Sequence, residues 1–385
     1  MRKSIRFGII GGGLMGREIA SAIARWCHLL DVDARPTLVA VCDQVPAQLE
    51  WFKEHFASVR QTCTDYRDLL ANDAVDAVYC AVPHHLHQEL YLAILAAGKH
   101  MLGEKPFGID RAANAAIMQA IARHPKQVVR CSSEFPFFPA VQRIVRDLTA
   151  GRFGQIIEVE CGFLHSSDLD RSKPINWKRL IAYNGEYGCM GDLGLHVFHV
   201  PLRMGWRPRN VRAILSNIVP QRPDAKTGQM VECETWDNAT LLCEMQHDGG
   251  YRFPMTAKTQ RISPGQTNTW YLSVLGEKCS TRFTTKRPRT LEMLQYEPGR
   301  EQCWETYDLG YASAYKAITG GIFEFGFPDA ILQMVAAFCD QIVHGPEAEL
   351  PFGCATPAET RMTHEIFTAA LASQRHSQAV AIGSA

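Results

Sequence analysis

The chain has 385 residues, more than a single hydrophobic core usually supports, so its length predicts two domains. Lys plus Arg and Asp plus Glu both number 40, and this zero net charge argues against a nucleic-acid or anionic-membrane surface. No apolar run reaches the roughly 18 residues of a membrane helix, and the cysteines lack zinc-module spacing. We therefore expect a cytoplasmic protein with reduced cysteines and no metal.

The first third of the chain alternates short apolar runs with longer helical patterns. The apolar runs lie at 5–10, 38–42, 77–81, 100–102 and 127–131, and the helical patterns near 14–29, 46–56, 66–71, 85–97 and 110–123. Strand-helix alternation of this kind is typical of a parallel sheet covered by helices on both faces. We predict an α/β domain over residues 1–132.

Beyond residue 150 the pattern changes to longer runs of β character. Strands are predicted at 155–161, 211–217, 239–245 and 269–275, helices near 192–204, 328–343 and 357–373, and long loops at 218–232 and 285–302. Such a mixture predicts an α+β domain built on a large, mostly antiparallel open sheet. We assign it residues 133–385.

Three glycines follow the first strand with the spacing G-x-G-x-x-G. Gly11 permits a tight turn, Gly13 lets the backbone approach a pyrophosphate, and Gly16 lets helix and strand pack closely. Leu14 and Met15 stand at the mouth of the following helix, whose N-terminus favours an anion. This context predicts a Rossmann dinucleotide site; the alternative is a glycine turn without a ligand.

Asp43 ends the second strand, where a carboxylate can accept hydrogen bonds from the adenosine ribose. It would repel a 2′-phosphate, so the sequence favours NAD over NADP. The alternative is an aspartate that caps the helix opened by Pro46.

The tripeptide Glu104-Lys105-Pro106 follows another short strand of the same domain. Ligands bind at the carboxyl ends of the strands in a parallel sheet of this kind. We therefore expect the ammonium group of Lys105 beside the reactive end of the nucleotide, although a strand-end salt bridge is the alternative.

These motifs together resemble the Gfo/Idh/MocA family of sugar and cyclitol dehydrogenases, over nearly the whole chain. The matching residues are Gly11 to Gly16, Pro83 with His87, Glu104-Lys105-Pro106, Trp177-Lys178 and Gly191-Asp192 with His196. The resemblance implies that Lys105, Asp192 and His196 are catalytic. In the implied mechanism a substrate hydroxyl gives its proton to His196, Asp192 holds the imidazole, and Lys105 polarises the alkoxide.

The resemblance also implies contacts around these three residues. Those expected at the cofactor, besides Gly11, Gly13, Leu14, Met15, Gly16 and Asp43, are Val82, Pro83, His87, Glu104 and Lys105. Those expected at the substrate are Lys105, Glu134, Trp177, Lys178, Asp192 and His196. A core position is the alternative for Trp177, and a structural histidine for His196.

The chain departs from the family at positions that line or flank the site. His84 replaces the asparagine of a Thr-Pro-Asn turn, His199 stands where an aspartate is common, and Glu134 lies where an Asn-Arg pair is usual. The extra histidines raise the alternative of a metal held by His84, His87, Asp192, His196 and His199. The basic residues of segment 165–179 raise the alternative of an acidic substrate.

The leading hypothesis is an NAD-dependent oxidoreductase that transfers hydride between a secondary alcohol of a sugar, sugar derivative or cyclitol and the nicotinamide. One alternative is redox-neutral glycoside cleavage by oxidation, elimination and reduction, including cleavage of an acidic or sulfonated sugar. Another is a sensor without catalysis. The resemblance further implies a homodimer or homotetramer formed through the exposed sheet face.

Overall fold

The computed structural model describes residues 3–346 and 352–383, which form two compact units. Unit 1 is drawn from Met1–Gly108, Ala112–Phe138 and Tyr311–Thr360, and unit 2 from Ile109–Arg111, Pro139–Gly310 and Arg361–Ala385. The sequence divides the chain once, at residues 132 and 133. Unit 1 in addition takes in residues 311–360, which the sequence analysis assigned to the second domain.

Unit 1 is built on a six-stranded parallel sheet in the order β3-β2-β1-β4-β5-β6. Its strands are β1 Lys3–Ile10, β2 Ala34–Cys42, β3 Gln61–Cys63, β4 Ala77–Cys80, β5 His100–Gly103 and β6 Val129–Cys131. Its helices are α1 Leu14–Ala24, α2 Ala47–His55, α3 Tyr66–Leu70, α4 His87–Ala96, α5 Arg111–Arg123 and, near the end of the chain, α9 Phe327–His344. The predicted parallel α/β sheet is confirmed.

Helix α9 belongs to the core of unit 1 because it packs against α1 and β2. Phe338 meets Phe7 of β1 with ring centroids 6.1 Å apart, and both side chains are completely buried. A helix distant in sequence therefore covers part of the first sheet.

Unit 2 contains a nine-stranded sheet in the order β16-β15-β14-β13-β7-β12-β11-β8-β17 and a small β9/β10 hairpin. The strands are β7 Ile156–His165, β8 Arg207–Ser216, β9 Gln221–Pro223, β10 Met230–Glu232, β11 Asn238–Gln246, β12 Arg252–Gln260, β13 Asn268–Gly276, β14 Cys279–Thr284, β15 Thr290–Gln295, β16 Glu305–Asp308 and β17 Val380–Ala381. The helices are α6 Pro139–Thr149, α7 Ile181–Asn184, α8 Cys189–Arg203 and α10 Pro357–His376. Among the described ladders of this sheet only β7 and β12 run parallel, which confirms the predicted mostly antiparallel sheet.

Two predicted loops contain strands. The segment 218–232 includes the β9/β10 hairpin, and the segment 285–302 includes β15. These strands are short, and β9 and β10 carry mostly exposed or half-buried side chains, so they lack the apolar run that marks a buried strand.

Helix α8 lies on the sheet of unit 2 and contacts β7, β11 and β12. The indole Nε1 of Trp270 on β13 donates a hydrogen bond of 2.9 Å to the His196 carbonyl. Gly194 faces the Phe367 ring so closely that a methyl group would collide with it. The middle of α8 is therefore fixed by both the sheet and α10. No described helix is long and apolar enough to cross a membrane.

Candidate active site

The glycine turn after β1 has the conformation and the space that its sequence predicts. Gly11 has a φ of +103°, and the Ala81 carbonyl fills the place of a side chain there. Gly16 lies against the Gly11 carbonyl in the same way. Gly13 differs, since a methyl group built on it meets nothing within 4 Å. Only at Gly13 does the turn leave open space.

Helix α1 begins beside this open space. No side chain caps its N-terminus, and Leu14, its first residue, is 74% exposed. Uncapped amides at a helix start attract an anion, and an exposed leucine offers an apolar contact beside it. The turn therefore fits a dinucleotide pyrophosphate.

The Asp43 carboxylate is tied to the backbone of the glycine turn. Its Oδ2 accepts from the Gly12 amide at 2.7 Å, and its Oδ1 accepts from the Val45 amide at 2.8 Å. Each oxygen keeps a second lone pair, so a ribose hydroxyl can still be accepted. The alternative role as a helix cap is wrong, because Pro46 is the N-cap of α2 and no side chain caps that helix. The ribose contact of Asp43 stays a prediction.

The loop that carries Lys105 is held from both sides by aromatic residues of α4. Tyr91 donates to the Glu104 carbonyl at 2.6 Å. The two ring nitrogens of His87 lie 2.6 Å from the Pro106 carbonyl and 2.9 Å from the Val82 carbonyl. Burial lowers the pKa of His87 to about 4, so one nitrogen of a neutral ring donates at a time. His87 therefore positions the loops after β4 and β5.

Two buried carboxyl groups flank Lys105. Glu104 accepts from the Tyr79 hydroxyl at 2.6 Å, and Glu134 is only 4% exposed. Burial, followed by the charge of Glu104, raises the pKa of Glu134 to about 7, while Lys105 acts in the opposite direction. The neighbourhood of Lys105 can therefore hold a proton near neutral pH.

In unit 2 Asp192 and His196 lie on consecutive turns of α8, as their spacing predicts. Both Asp192 oxygens accept from Lys178 Nζ at 3.0 Å. Arg261, just after β12, also donates to Asp192. The Asp192 side chain is 2% exposed, so two cations stabilise a buried carboxylate beside His196.

The imidazole of His196 lies against an aromatic wall. The Phe163 ring of β7 meets it edge to face, with centroids 5.3 Å apart. Trp177 is half-buried rather than a core residue, and Lys178 Nζ lies 5.5 Å from its ring centroid. Lys178, Asp192 and His196 thus share one region of unit 2, with Trp177 next to it.

A buried network of charges supports this region. Arg261 Nε donates to Asp168 at 3.1 Å, and Arg179 Nη2 donates to Asp237 at 3.1 Å. Arg179 is completely buried, so it is not presented to an acidic substrate as segment 165–179 suggested. Arg261 is a site residue without a sequence motif, because a position directly after a strand does not predict a partner on α8.

The structure gives no support to the metal alternative. Within residues 3–346 and 352–383, no three His, Cys, Asp or Glu side chains are grouped so that they could hold a metal ion. His199 is completely buried, and its Nε2 lies 3.2 Å from an Arg203 nitrogen.

A parallel sheet with a glycine turn leading into α1 defines a dinucleotide-binding domain. Residues 5–133 match the Gfo/Idh/MocA model, which describes an oxidoreductase family with an NAD-binding Rossmann fold. This match covers the first third of the chain and identifies it as a Gfo/Idh/MocA-type NAD-binding domain. The predicted resemblance, fold class and NAD-type cofactor are confirmed.

The relatives include dehydrogenases named for a sugar derivative, for inositol and for trans-1,2-dihydrobenzene-1,2-diol. The chain is 26% identical to a levoglucosan dehydrogenase of Pseudarthrobacter phenanthrenivorans over 57% of this chain and 56% of that protein. It is 29% identical to inositol 2-dehydrogenase 4 of Saccharopolyspora erythraea over 43% and 47% of the two chains. These alignments span about half the length of the relatives. A solved levoglucosan dehydrogenase with NADH and levoglucosan superimposes with a TM-score of 0.87 at 21% identity, covering 99% of this chain and 100% of that one, which shows the shared fold.

Proposed function

We propose that the chain is an NAD-dependent dehydrogenase that acts on a secondary alcohol of a sugar, sugar derivative or cyclitol. The observation that carries this proposal is the pairing of His196 with Asp192 on one helix, the carboxylate being held by Lys178 and Arg261. The names of the relatives support the substrate class.

The residues of unit 1 fit NAD as the cofactor. The open space at Gly13 suits a pyrophosphate, Asp43 retains acceptor capacity for ribose hydroxyls, and Leu14 is exposed beside them. When bound, NAD would supply a hydride acceptor for the substrate carbon.

In the proposed mechanism the protein's own residues bind the substrate and move its proton. His196 accepts the proton of the hydroxyl that is oxidised, and Asp192 keeps the imidazole oriented. Lys105 serves the same hydroxyl by stabilising the developing negative charge on oxygen. Glu134, whose pKa of about 7 leaves it partly protonated at neutral pH, is available to exchange a proton with Lys105.

The charges of unit 2 favour a neutral substrate over an acidic or sulfonated one. Arg179 and Arg261 are paired with Asp237, Asp168 and Asp192 inside the protein. Lys178, whose side chain is 29% exposed, is already shared with Asp192. An anionic group would have to compete with these carboxylates.

A substrate panel tests the proposed activity. The purified protein is incubated with NAD and levoglucosan, myo-inositol, glucose, glucuronate, a sulfonated sugar or an aryl glycoside, while NADH and free aglycone are both followed. We expect NADH with a neutral polyol. Aglycone release without NADH would instead establish redox-neutral cleavage, and binding without any turnover would establish a sensor.

Alanine at position 13 should separate cofactor binding from folding. Gly13→Ala adds a methyl group where nothing lies within 4 Å, so the thermal midpoint should stay unchanged. The same methyl group would occupy the approach to the pyrophosphate, so we expect at least about a 10-fold loss of NAD affinity, roughly 1.4 kcal/mol. Calorimetric titration of both proteins with NAD measures this loss of affinity. Undiminished affinity would show that the pyrophosphate does not bind at this turn.

Removal of the Asp43 carboxylate should change the choice between NAD and NADP. Asp43→Ala loses acceptors for the ribose hydroxyls and also two backbone hydrogen bonds, so both affinities can fall. Because the charge that repels a 2′-phosphate also disappears, the ratio of NAD to NADP affinity should drop about 10-fold. Titrations with both nucleotides provide the ratio. An equal loss of affinity for both would mean that Asp43 only holds the backbone of the turn.

We also propose that the chain forms a homodimer or homotetramer through the open face of the large sheet. Ile214 on β8 and Leu242 on β11 are 62% and 51% exposed on neighbouring strands, and Ile157 on β7 is 53% exposed. Exposed apolar side chains on a broad sheet need covering. Light scattering after size exclusion gives the number of subunits, and Ile214→Lys should reduce it.

A further inference from the structure

His165, the last residue of β7, lies near Asp192 and His196, which are proposed to handle the substrate proton. Its ring lies 4.5 Å from the Phe163 ring, the same ring that meets His196 at 5.3 Å. The side chain is half-buried. His165 and His196 therefore flank one phenylalanine.

The hydrogen bond of His165 fixes its tautomer. Nδ1 lies 3.2 Å from the Thr267 carbonyl, which can only accept, so Nδ1 carries the proton. In a neutral ring Nε2 is then a bare acceptor. Within residues 3–346 and 352–383, no protein group is hydrogen-bonded to Nε2.

Burial and the surrounding charges keep this ring neutral. Burial, followed by the charge of Arg261, lowers the pKa of His165 to about 4, and Lys178 on the neighbouring turn acts in the same direction. Asp192 on α8 acts in the opposite direction, but Lys178 and Arg261 are bound to it. His165 is thus an uncharged acceptor throughout the neutral range.

We propose that Nε2 of His165 accepts a hydrogen bond from a second hydroxyl of the substrate, distinct from the one that is oxidised, and so selects polyols over their deoxy analogues. This proposal rests on the proposed dehydrogenase function. An acceptor that is fixed before the substrate arrives loses a bond whenever that hydroxyl is missing. Arg261 has a positioning role here, because it maintains the neutral ring.

Kinetics with matched variants test the proposal. His165→Phe retains an aromatic ring against Phe163 and lacks the acceptor, whereas His165→Gln provides an amide oxygen. With the best polyol of the panel, His165→Phe should raise KM about 10-fold with little change in kcat, and His165→Gln should recover part of the loss. The wild-type protein should discriminate against one single-deoxy analogue of this polyol, and the His165→Phe variant should not.

Two kinetic results would overturn the proposal. One is an unchanged KM in His165→Phe. The other is an equal loss for the polyol and every deoxy analogue, which would show that the ring only supports the local structure.

Nitrogen NMR of ¹⁵N-histidine-labelled protein gives a readout that needs no turnover. His165 should show a protonated Nδ1 and a bare Nε2 from pH 5.5 to 8, and its Nε2 signal should shift on addition of NADH and myo-inositol or levoglucosan. Arg261→Gln should raise the pKa of His165, while Arg261→Lys should leave it low. An Nε2-protonated or charged ring would overturn the proposal. A shift by ligand in a protein without turnover would refute the dehydrogenase function and leave the hydroxyl contact standing.

Discussion

Lys105→Met should lower kcat by about 10²- to 10⁴-fold, far more than it lowers NADH affinity, while the thermal midpoint stays close to wild type. The reason is positional. The backbone on either side of Lys105 is fixed by the Tyr91 and His87 hydrogen bonds, which do not involve its side chain. The substitution therefore removes the ammonium group without freeing the loop. Stopped-flow and steady-state NADH absorbance with the best polyol measure the effect.

Chemical rescue and a matched control sharpen this test. Lys105→Ala should regain part of its kcat with added methylamine or ethylamine, because a free amine can replace the missing proton carrier. Lys126→Met, an exposed lysine of unit 1, should behave as wild type. Full kcat in Lys105→Met would refute the catalytic assignment.

A double variant tests whether Lys105 and His196 serve one hydroxyl. If both act on the same proton, Lys105→Met combined with His196→Asn should lose little more than the worse single variant. Multiplicative losses would assign the two residues to separate steps.

Glu134→Gln should make the protein more stable above pH 7 but not at pH 4.5. Wild-type Glu134 has its pKa raised to about 7 in the fold, so the folded state holds a proton that the unfolded state has lost. The free energy of unfolding then falls as pH rises from about 4.5 to about 7 and levels off at a cost of at most about 3.5 kcal/mol. Glutamine removes this titration.

Urea unfolding at pH 5 and pH 8, followed by circular dichroism, measures the difference between wild type and Glu134→Gln. Glu54→Gln, an exposed carboxyl of the same unit, is the control and should show no such change with pH. A constant difference between wild type and Glu134→Gln at both pH values would mean that Glu134 is ionised throughout. In that case the pH dependence of turnover should also show no titration of Glu134 near pH 7.

Features set by neighbours along the chain were predictable. The glycine spacing that needs positive φ at Gly11, and the i, i+4 spacing that places Asp192 and His196 on consecutive turns, depend only on local backbone geometry. The strand-helix alternation likewise predicts the parallel sheet, because each short apolar run must be covered on both faces. The roles of the site residues in catalysis stay predictions.

By itself, the sequence determined the resemblance to a dehydrogenase family, the fold class of both domains and the dinucleotide turn, since these follow from local pattern and motif. Tertiary structure alone decided which distant residues meet. Arg261, directly after β12, reaches Asp192 because α8 packs against β12. Glu134 approaches Glu104 because β6 pairs with β5. Residues 311–360 join unit 1 through α9. The order of strands in a sheet and the face that a helix covers bring together groups that are far apart in the sequence, so no local sequence pattern predicts their contact. The charges around each group depend on that tertiary arrangement.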